Sequence, residues 1–228
     1  ELQAFDGGTM LFTNPLGQVK CGGAPQKILY LAEDYVRRHG LRDETKVIGT
    51  FAGTKMLGVP EINATLERIV AERDIDMRFH HNLVAIDAEA KEATFERLDQ
   101  EGHPHVTLGY DFIHVTPPMR APQVVRESPL AVAEGPHEGY VEVDLHTMRS
   151  PRWPDVYALG DVAAIPTAKT GAAVRKQAPV LVDHLMAARK GGTSKKSYDG
   201  YSSCPLVTGY GRLVLAEFTY DKIGRASC

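Results

Sequence analysis

The stretch Thr9-Met10-Leu11-Phe12-Thr13-Asn14-Pro15 begins the pattern that decides the fold of this chain. Its apolar run is short and ends at an Asn-Pro pair, which is typical of a β-strand that stops at a turn. Residues 24–39 then repeat apolar side chains at helical spacing, with Pro25 in the first turn and Gly40 after the last one. They predict a helix, because proline suits the start of a helix and glycine its end.

The alternation of strand and helix continues along the first half of the chain. Residues 46–51 predict a second strand, and residues 62–73 predict a second helix. Short strand-like runs follow at residues 83–86, 93–95 and 112–115. This order predicts a parallel sheet covered by helices, which is a Rossmann-like unit.

The last part of the chain follows a proline-rich break at Thr116-Pro117-Pro118, which predicts a crossing from one domain to the next. Beyond this break we predict a strand at residues 155–159 and a helix at residues 168–189. The apolar segments 206–208 and 213–220 are separated by a glycine-containing turn and predict a β-hairpin. The fold class indicated by the whole pattern is α/β, with a hairpin at its C-terminal end.

Composition narrows the classes of protein and of chemistry. A chain of 228 residues with net charge −3 can bury a core without covalent help and carries no basic footprint for nucleic acid. Three cysteines are too few for a disulfide framework, and we find no metal-ligand spacing. No signal peptide and no membrane-spanning apolar run is visible. Three possibilities remain: the protein uses the chemistry of its thiols, the chemistry of a bound cofactor, or neither.

Cys21 stands where a dinucleotide-binding unit would need glycines. Such units hold a pyrophosphate with the backbone N–H groups of a G-x-G-x-x-G turn, and this motif does not occur in the sequence. Two interpretations of Cys21 are open. It is a small packing thiol in a glycine-rich turn, or it is a reactive thiolate whose pKa is lowered by the helix N-terminus and by Lys20 and Lys27.

A second candidate site follows the predicted strand 155–159. There Asp161, after Gly160, either accepts hydrogen bonds from a ribityl hydroxyl of a flavin or caps the next helix. Lys169 and Thr170 lie near the entrance of that helix, where Lys169 either places positive charge beside the flavin or is solvated. Cys204 lies in an aromatic loop before the hairpin and, taken alone, favours a structural interpretation.

Four stretches of the chain resemble sulfide:quinone oxidoreductases, particularly the branch that includes the mitochondrial enzymes. They are VKCGGAPQKILYL (19–31), HVTPPMRAP (114–122), VYALGDVAAIPTAKTGAAV (156–174) and YDGYSSCPLVTGYGRLVLAEFTY (198–220). These enzymes are flavoproteins with two dinucleotide-binding domains, of which the second no longer serves a nicotinamide. The resemblance implies that residues 8–116 are this Rossmann-like middle domain and that residues 117–228 supply the later part of the FAD-binding domain.

The resemblance also implies roles for individual residues. Cys21 and Cys204 would form the redox-active pair, and the residues that would bind or adjoin FAD are Gly160, Asp161, Lys169 and Thr170. Sulfide would attack the sulfur-bridged cysteine pair, leave a persulfide on Cys204 and release the thiolate of Cys21. Two electrons would pass to FAD and then to a membrane quinone. The persulfide sulfur would pass to sulfite, glutathione or another sulfide.

The resemblance implies peripheral association with a bacterial or mitochondrial inner membrane, and a homo-oligomer is one arrangement that it allows. The family's N-terminal FAD-binding βαβ unit has no counterpart in this sequence, so we expect a fragment that is inactive by itself. Two alternatives stay open. One is another flavoprotein of this fold, such as a type II NADH:quinone dehydrogenase or a flavocytochrome c sulfide dehydrogenase. The other is a folded scaffold without activity.

Overall fold

The order of helices and strands follows the predicted alternation in the computed structural model, which describes residues 2–17, 19–221 and 223–227. In chain order the elements are β1 (Gly8–Asn14), α1 (Ala24–Arg38), β2 (Thr45–Phe51), α2 (Pro60–Glu72), β3 (Asp76–Arg78), β4 (His81–Asp87), β5 (Glu92–Arg97), β6 (His105–Gly109), β7 (Phe112–His114), α3 (Gln123–Arg126), α4 (Gly171–Arg189), β8 (Ser202–Gly209), β9 (Arg212–Phe218) and β10 (Ile223–Ser227). The predicted α/β fold class is confirmed.

A four-stranded parallel sheet forms the first part of the molecule, with strand order β3-β2-β1-β7. The chain runs outward from β1 to β3 and then returns to place β7 on the other side of β1. The carboxyl ends of β1 and β7 therefore flank a topological switch point, where sheets of this class bind ligands. The turn that leads from β1 into α1, and that carries Cys21, lies at this edge.

The two faces of the parallel sheet are covered differently, and this corrects one expectation. On one face, Met10 and Val47 pack in the same buried cluster as Leu29 of α1 and Leu66 of α2. On the other face the cover is not a helix but the antiparallel sheet β4-β5-β6, whose Phe95 packs in a cluster with strands β1 and β2. The segments 83–86 and 93–95 are thus not parallel strands, because the four residues between β4 and β5 are too few for a crossover.

The strand predicted at residues 155–159 is wrong. Only Tyr157 forms an isolated bridge there, with Arg149. The chain turns just before it, where the Val156 N–H donates to the Trp153 carbonyl at 2.9 Å, and enters a short 3-10 turn at Gly160–Val162 just after it. Too few extended residues are left between these turns for a strand longer than this one bridge.

The helix predicted at residues 168–189 begins at Gly171, because the preceding residue is extended and caps it. The hairpin is confirmed as β8 and β9, and β10 extends it to a three-stranded antiparallel sheet. Cys228, for which the sequence predicts no role, lies outside the described residues. None of the helices in the described ranges is long and apolar enough to cross a membrane.

The hairpin packs against α1. Cys204 and Leu206 on β8 and Val214 on β9 belong to the same buried cluster as Leu29 and Tyr30 on α1. The cluster therefore joins residues that are far apart in sequence and brings β8 close to the turn that precedes α1. The division into domains at 8–116 and 117–228 stays a prediction.

Candidate functional site

Cys21 occupies an unusual backbone conformation in the turn between β1 and α1. Its φ of 58° lies in the left-handed region, which costs an L-residue about 1–2 kcal/mol. Two backbone hydrogen bonds hold it there: the Cys21 N–H donates to the Lys169 carbonyl at 2.9 Å, and the Ala24 N–H donates to the Cys21 carbonyl at 2.7 Å. The thiol is thus fixed at the start of the helix and only half-buried.

Cys204 lies inside a regular strand. Ser202, Cys204 and Leu206 alternate with more exposed neighbours along β8, and all three point to the buried side of the hairpin. Cys204 is 2% exposed and is paired in register with Ala216 on β9. The strand therefore gives the second sulfur a buried and well-defined position.

The two sulfurs meet although they are 183 positions apart in the chain. The distance from Cys21 Sγ to Cys204 Sγ is 3.2 Å. Gly23 makes this approach possible, because a Cβ at that position would lie 2.9 Å from Cys204 Sγ and 2.4 Å from Leu206 Cδ2. Gly23, two residues after Cys21, thus gives β8 room against the turn, at the place where a dinucleotide-binding unit would have its phosphate-binding glycines.

The surroundings of the pair separate the two thiols electrostatically. The hydrogen bond from the Cys204 thiol lowers the pKa of Cys21 to about 6, with help from Lys27 and against the effect of burial. The Lys27 ammonium lies 3.6 Å from Cys21 Sγ. The hydrogen bond to Cys21, together with burial, raises the pKa of Cys204. At neutral pH the reduced pair is a thiolate on Cys21 and a thiol on Cys204, which favours the reactive interpretation of Cys21.

Asp161 lies beside the cysteine turn but not at a helix start. Its carboxylate is 56% exposed, and its Oδ2 is 3.4 Å from the ammonium of Lys20. The alternative in which Asp161 caps the next helix is wrong, because Thr170 caps α4. Gly160 has a φ of 67° and its N–H donates to Gln177 Oε1 at 2.8 Å, so the turn that presents Asp161 is anchored to α4.

Lys169 is buried, so the alternative of a solvated side chain is wrong. It is 5% exposed, its ammonium donates to the Ala163 carbonyl, and it lies 4.3 Å from the ring centroid of Tyr140. Burial lowers the pKa of Lys169 to about 8, and the charge of Lys20 acts in the same direction. Lys169 thus holds its ammonium group in a partly desolvated place, while its own backbone carbonyl accepts the hydrogen bond from the Cys21 N–H.

Thr170 and Ser202 join the α4 entrance to β8. Thr170 Oγ1 accepts from the Ala173 N–H at 3.2 Å and lies 3.0 Å from Ser202 Oγ. The Ser202 hydroxyl also donates to the Ala168 carbonyl at 2.9 Å. Sequence reasoning missed Ser202, although its place two residues before Cys204 puts both on one face of the strand.

The structure brings the six predicted site residues into one connected neighbourhood. Cys21 contacts Cys204 through sulfur and Lys169 through its backbone, and Thr170 adjoins Lys169. Asp161 is tied to the same turn by Lys20, and Gly160 precedes Asp161. Tyr140 and Gly23 are further members that the sequence did not single out, because their contacts are long-range. In the part of the chain that the structure describes, no three His, Cys, Asp or Glu side chains are grouped to hold a metal.

Solved structures define the class of fold. The chain matches a chain in the cryo-EM structure of the Tetrahymena thermophila mitochondrial ATP synthase with a TM-score of 0.82 and 20% identity, over 98% of this chain and 53% of that one. It matches the sulfide:quinone oxidoreductase of Aquifex aeolicus with a TM-score of 0.78 and 18% identity, over 99% of this chain and 53% of that one. Its Rossmann-like α/β architecture is therefore shared with proteins of very different sequence.

Sequence comparison finds relatives of much higher identity. No family model matches the chain. The mitochondrial sulfide:quinone oxidoreductase of Mus musculus is 44% identical over 219 residues, which are 96% of this chain and 48% of the mouse protein. That of Dictyostelium discoideum is 44% identical over 214 residues, 94% of this chain and 46% of that protein. The chain is a homologue of the sulfide:quinone oxidoreductases, as its motifs predict, and it spans about half the length of the curated relatives it matches.

Proposed function

We propose that this chain supplies the cysteine pair of an enzyme that oxidises sulfide by two electrons and passes them through FAD to a membrane quinone. The observation that carries the proposal is the 3.2 Å contact between Cys21 and Cys204 in a homologue of the sulfide:quinone oxidoreductases. Two thiols so close, with one of them ionised, are the arrangement that thiol–disulfide chemistry requires.

The spacing of the sulfurs supports an oxidised state in which one extra sulfur bridges them. A direct disulfide has an S–S bond of about 2.05 Å, and two such bonds meeting at roughly 105° span about 3.3 Å. The observed 3.2 Å is close to the second value. The same separation also allows the thiol-to-thiolate hydrogen bond of the reduced pair, so oxidation and reduction need little movement of the backbone.

Sulfide enters this scheme as a nucleophile. Hydrosulfide attacks Cys204 Sγ of the linked pair, a new S–S bond forms a persulfide on Cys204, and the bond toward Cys21 breaks. The electron pair of the broken bond leaves with the sulfur carried by Cys21. This side is the better leaving group, since the Lys27 ammonium, 3.6 Å from Cys21 Sγ, stabilises the persulfide anion that forms on Cys21.

The persulfide then gives up its outer sulfur. An acceptor such as sulfite, glutathione or another sulfide takes that sulfur and leaves the Cys204 thiol. Re-linking of Cys204 to the sulfur on Cys21 releases two electrons and the remaining thiol proton. Burial of Cys204 favours this division of roles, because it keeps the carried sulfur away from bulk solvent until an acceptor arrives.

The chain's own residues fit a flavin beside this pair. The Asp161 carboxylate is exposed and has capacity to accept from hydroxyl groups, and the Lys169 ammonium has two N–H donors beyond the one used by Ala163. The residues that we propose to hold FAD are Gly160, Asp161, Lys169 and Thr170. FAD, when bound, supplies the two-electron acceptor between the cysteine pair and the quinone.

The proposal extends to location and organisation. The curated relatives are named as mitochondrial, which supports peripheral association with the mitochondrial inner membrane. Residues 8–116 would be the middle domain, and residues 117–228 would be the later part of the FAD-binding domain. Since the relatives are about twice as long, we expect this chain alone to be inactive with sulfide and quinone.

The test uses the complete protein, with a short-chain quinone as electron acceptor. Cys21→Ser and Cys204→Ser should each lower sulfide-dependent quinone reduction by at least about a thousandfold, because either change removes a covalent step. Cys228→Ser is the control and should keep the rate. Unchanged rates in both site variants, or rapid NADH-dependent quinone reduction with no response to sulfide, would refute the proposal and favour an NADH:quinone dehydrogenase.

A further inference from the structure

The two elements that carry the cysteines are bound to one short segment, residues 168–170. On one side, the Lys169 carbonyl accepts from the Cys21 N–H at 2.9 Å. On the other side, Ser202 of β8 donates to the Ala168 carbonyl at 2.9 Å and lies 3.0 Å from the Thr170 hydroxyl. The segment therefore touches both the turn before α1 and the strand that holds Cys204.

The number of hydroxyl protons determines which group donates in each hydrogen bond around Ser202. A serine hydroxyl has one proton to donate, and here the Ala168 carbonyl receives it. The Thr170 hydroxyl must then donate to Ser202 Oγ, while Thr170 Oγ1 accepts from the Ala173 N–H. The result is a continuous chain from the first turn of α4 through Thr170 and Ser202 to Ala168. Because Ser202 is fully buried and Thr170 nearly so, neither hydroxyl has water as a replacement partner.

We propose that Ser202 and Thr170 are positioning residues that fix the separation of the Cys21 and Cys204 sulfurs. This inference rests on the proposed function only in taking the pair to be linked in the oxidised state. Ser202 and Cys204 are two residues apart on one face of β8, so a shift of Ser202 along or away from residues 168–170 moves Cys204 with it. The Cys21 backbone is held by the same segment and would not follow that shift.

The left-handed backbone conformation of Cys21 also depends on residues 168–170. A left-handed cysteine is held only as firmly as its backbone hydrogen bonds, one of which goes to Lys169. Segment 168–170 thus keeps Cys21 in its conformation and Cys204 at its distance at the same time. A change that loosens the segment should weaken closure of the pair more than it weakens the fold.

The experiment measures the reduction potential of the direct Cys21–Cys204 disulfide, the two-electron couple that the pair forms in the complete protein when no sulfide is present. The protein is equilibrated with sulfide-free buffers that contain reduced and oxidised dithiothreitol in defined ratios. Each sample is quenched with acid, and the linked and free peptides are quantified by mass spectrometry. Ser202→Ala and the nearly isosteric Thr170→Val should each lower the equilibrium constant for linkage about tenfold, which raises the potential by about 30 mV. Thr170→Ser keeps the hydroxyl and should restore the wild-type value.

A control separates positioning from general stability. Thr208→Ala removes another buried hydroxyl from β8, four residues beyond Cys204, and should lower the melting temperature without moving the potential. If Ser202→Ala and Thr170→Val lower the melting temperature but leave the potential at the wild-type value, the positioning role is overturned. If the wild-type protein forms no Cys21–Cys204 linkage, neither the disulfide in these buffers nor the sulfur-bridged form after oxidation in the presence of sulfide, the proposed function itself fails.

Discussion

The two cysteines of the candidate site have the same side chain and opposite surroundings. Cys21 lies in a turn at the carboxyl edge of a parallel sheet, with a left-handed backbone, a half-buried thiol and a lysine 3.6 Å away. Cys204 lies inside an antiparallel strand and is 2% exposed. A turn can collect charge around a side chain, whereas a strand fixes position and excludes water.

Placing a turn against a strand is therefore enough to make a pair chemically asymmetric. Although the two sulfurs are in contact, Cys21 loses its proton easily and Cys204 keeps its own. The reason is that the Cys204 thiol donates a hydrogen bond that stabilises the Cys21 thiolate. In the proposed reaction this asymmetry decides which sulfur leaves and which carries the persulfide. Each of the following predictions changes or measures that difference.

The largest effect expected from this asymmetry is a difference in alkylation rate between the two thiols of the reduced protein. Iodoacetamide at about neutral pH should modify Cys21 at least roughly a hundredfold faster than Cys204, since only the thiolate reacts and Cys204 is protonated and buried. Mass spectrometry of the labelled peptides measures both rates in one sample. Equal rates, or faster labelling of Cys204, would contradict the asymmetry.

A single methyl group between the two regions should have the next largest effect. Gly23→Ala places a Cβ 2.4 Å from Leu206 Cδ2 and 2.9 Å from Cys204 Sγ, so these two buried side chains of β8 have to move away from the turn. We expect the free energy of unfolding to fall by about 1–3 kcal/mol, as for other overpacked cores, and the linkage of the cysteines to form more slowly. Denaturation in urea measures the first effect, and thiol titration after oxidation measures the second.

The neighbouring glycine is the matched control for this substitution. A Cβ at Gly22 would have no heavy atom within 4 Å, so Gly22→Ala should leave stability within about 0.5–1 kcal/mol of the wild type. Equal losses from the two substitutions would mean that the close contact of Gly23 with β8 is not what limits the approach of the strand.

How much of this comparison the sequence could predict depends on the range of the contacts involved. β1, α1, β2 and α2 were predictable because their apolar periodicity and end signals are local. The antiparallel cover β4-β5-β6 and the missing strand at 155–159 were not, since pairing depends on partners elsewhere in the chain. Short apolar runs look alike whether they pair in parallel, in antiparallel or not at all.

The residues of the candidate site likewise differ in how far the sequence alone could predict them. Cys21 could be suspected from its turn and its lysines, but Cys204 was linked to it only by resemblance to a family. Spacing could not predict a contact across 183 positions. Ser202 and Tyr140 were missed because their importance comes from contacts with residues 168–170, which no periodicity reveals.

The smallest expected effect tests which lysine acts on Cys21, since the sequence offers two. Lys27 lies 3.6 Å from Cys21 Sγ, whereas Lys20, adjacent in sequence, is paired with Asp161. Lys27→Met removes a charge that lowers the pKa of Cys21, so that pKa rises from about 6 and less thiolate is present at mildly acid pH. The alkylation rate of Cys21 near pH 6 should fall roughly threefold to tenfold, and the difference should disappear at alkaline pH, where both proteins carry the thiolate. Lys20→Met is the control and should shift the pH profile of alkylation much less. An equal shift would mean that the summed charge of the turn sets the ionisation of Cys21, rather than the single contact with Lys27 of α1.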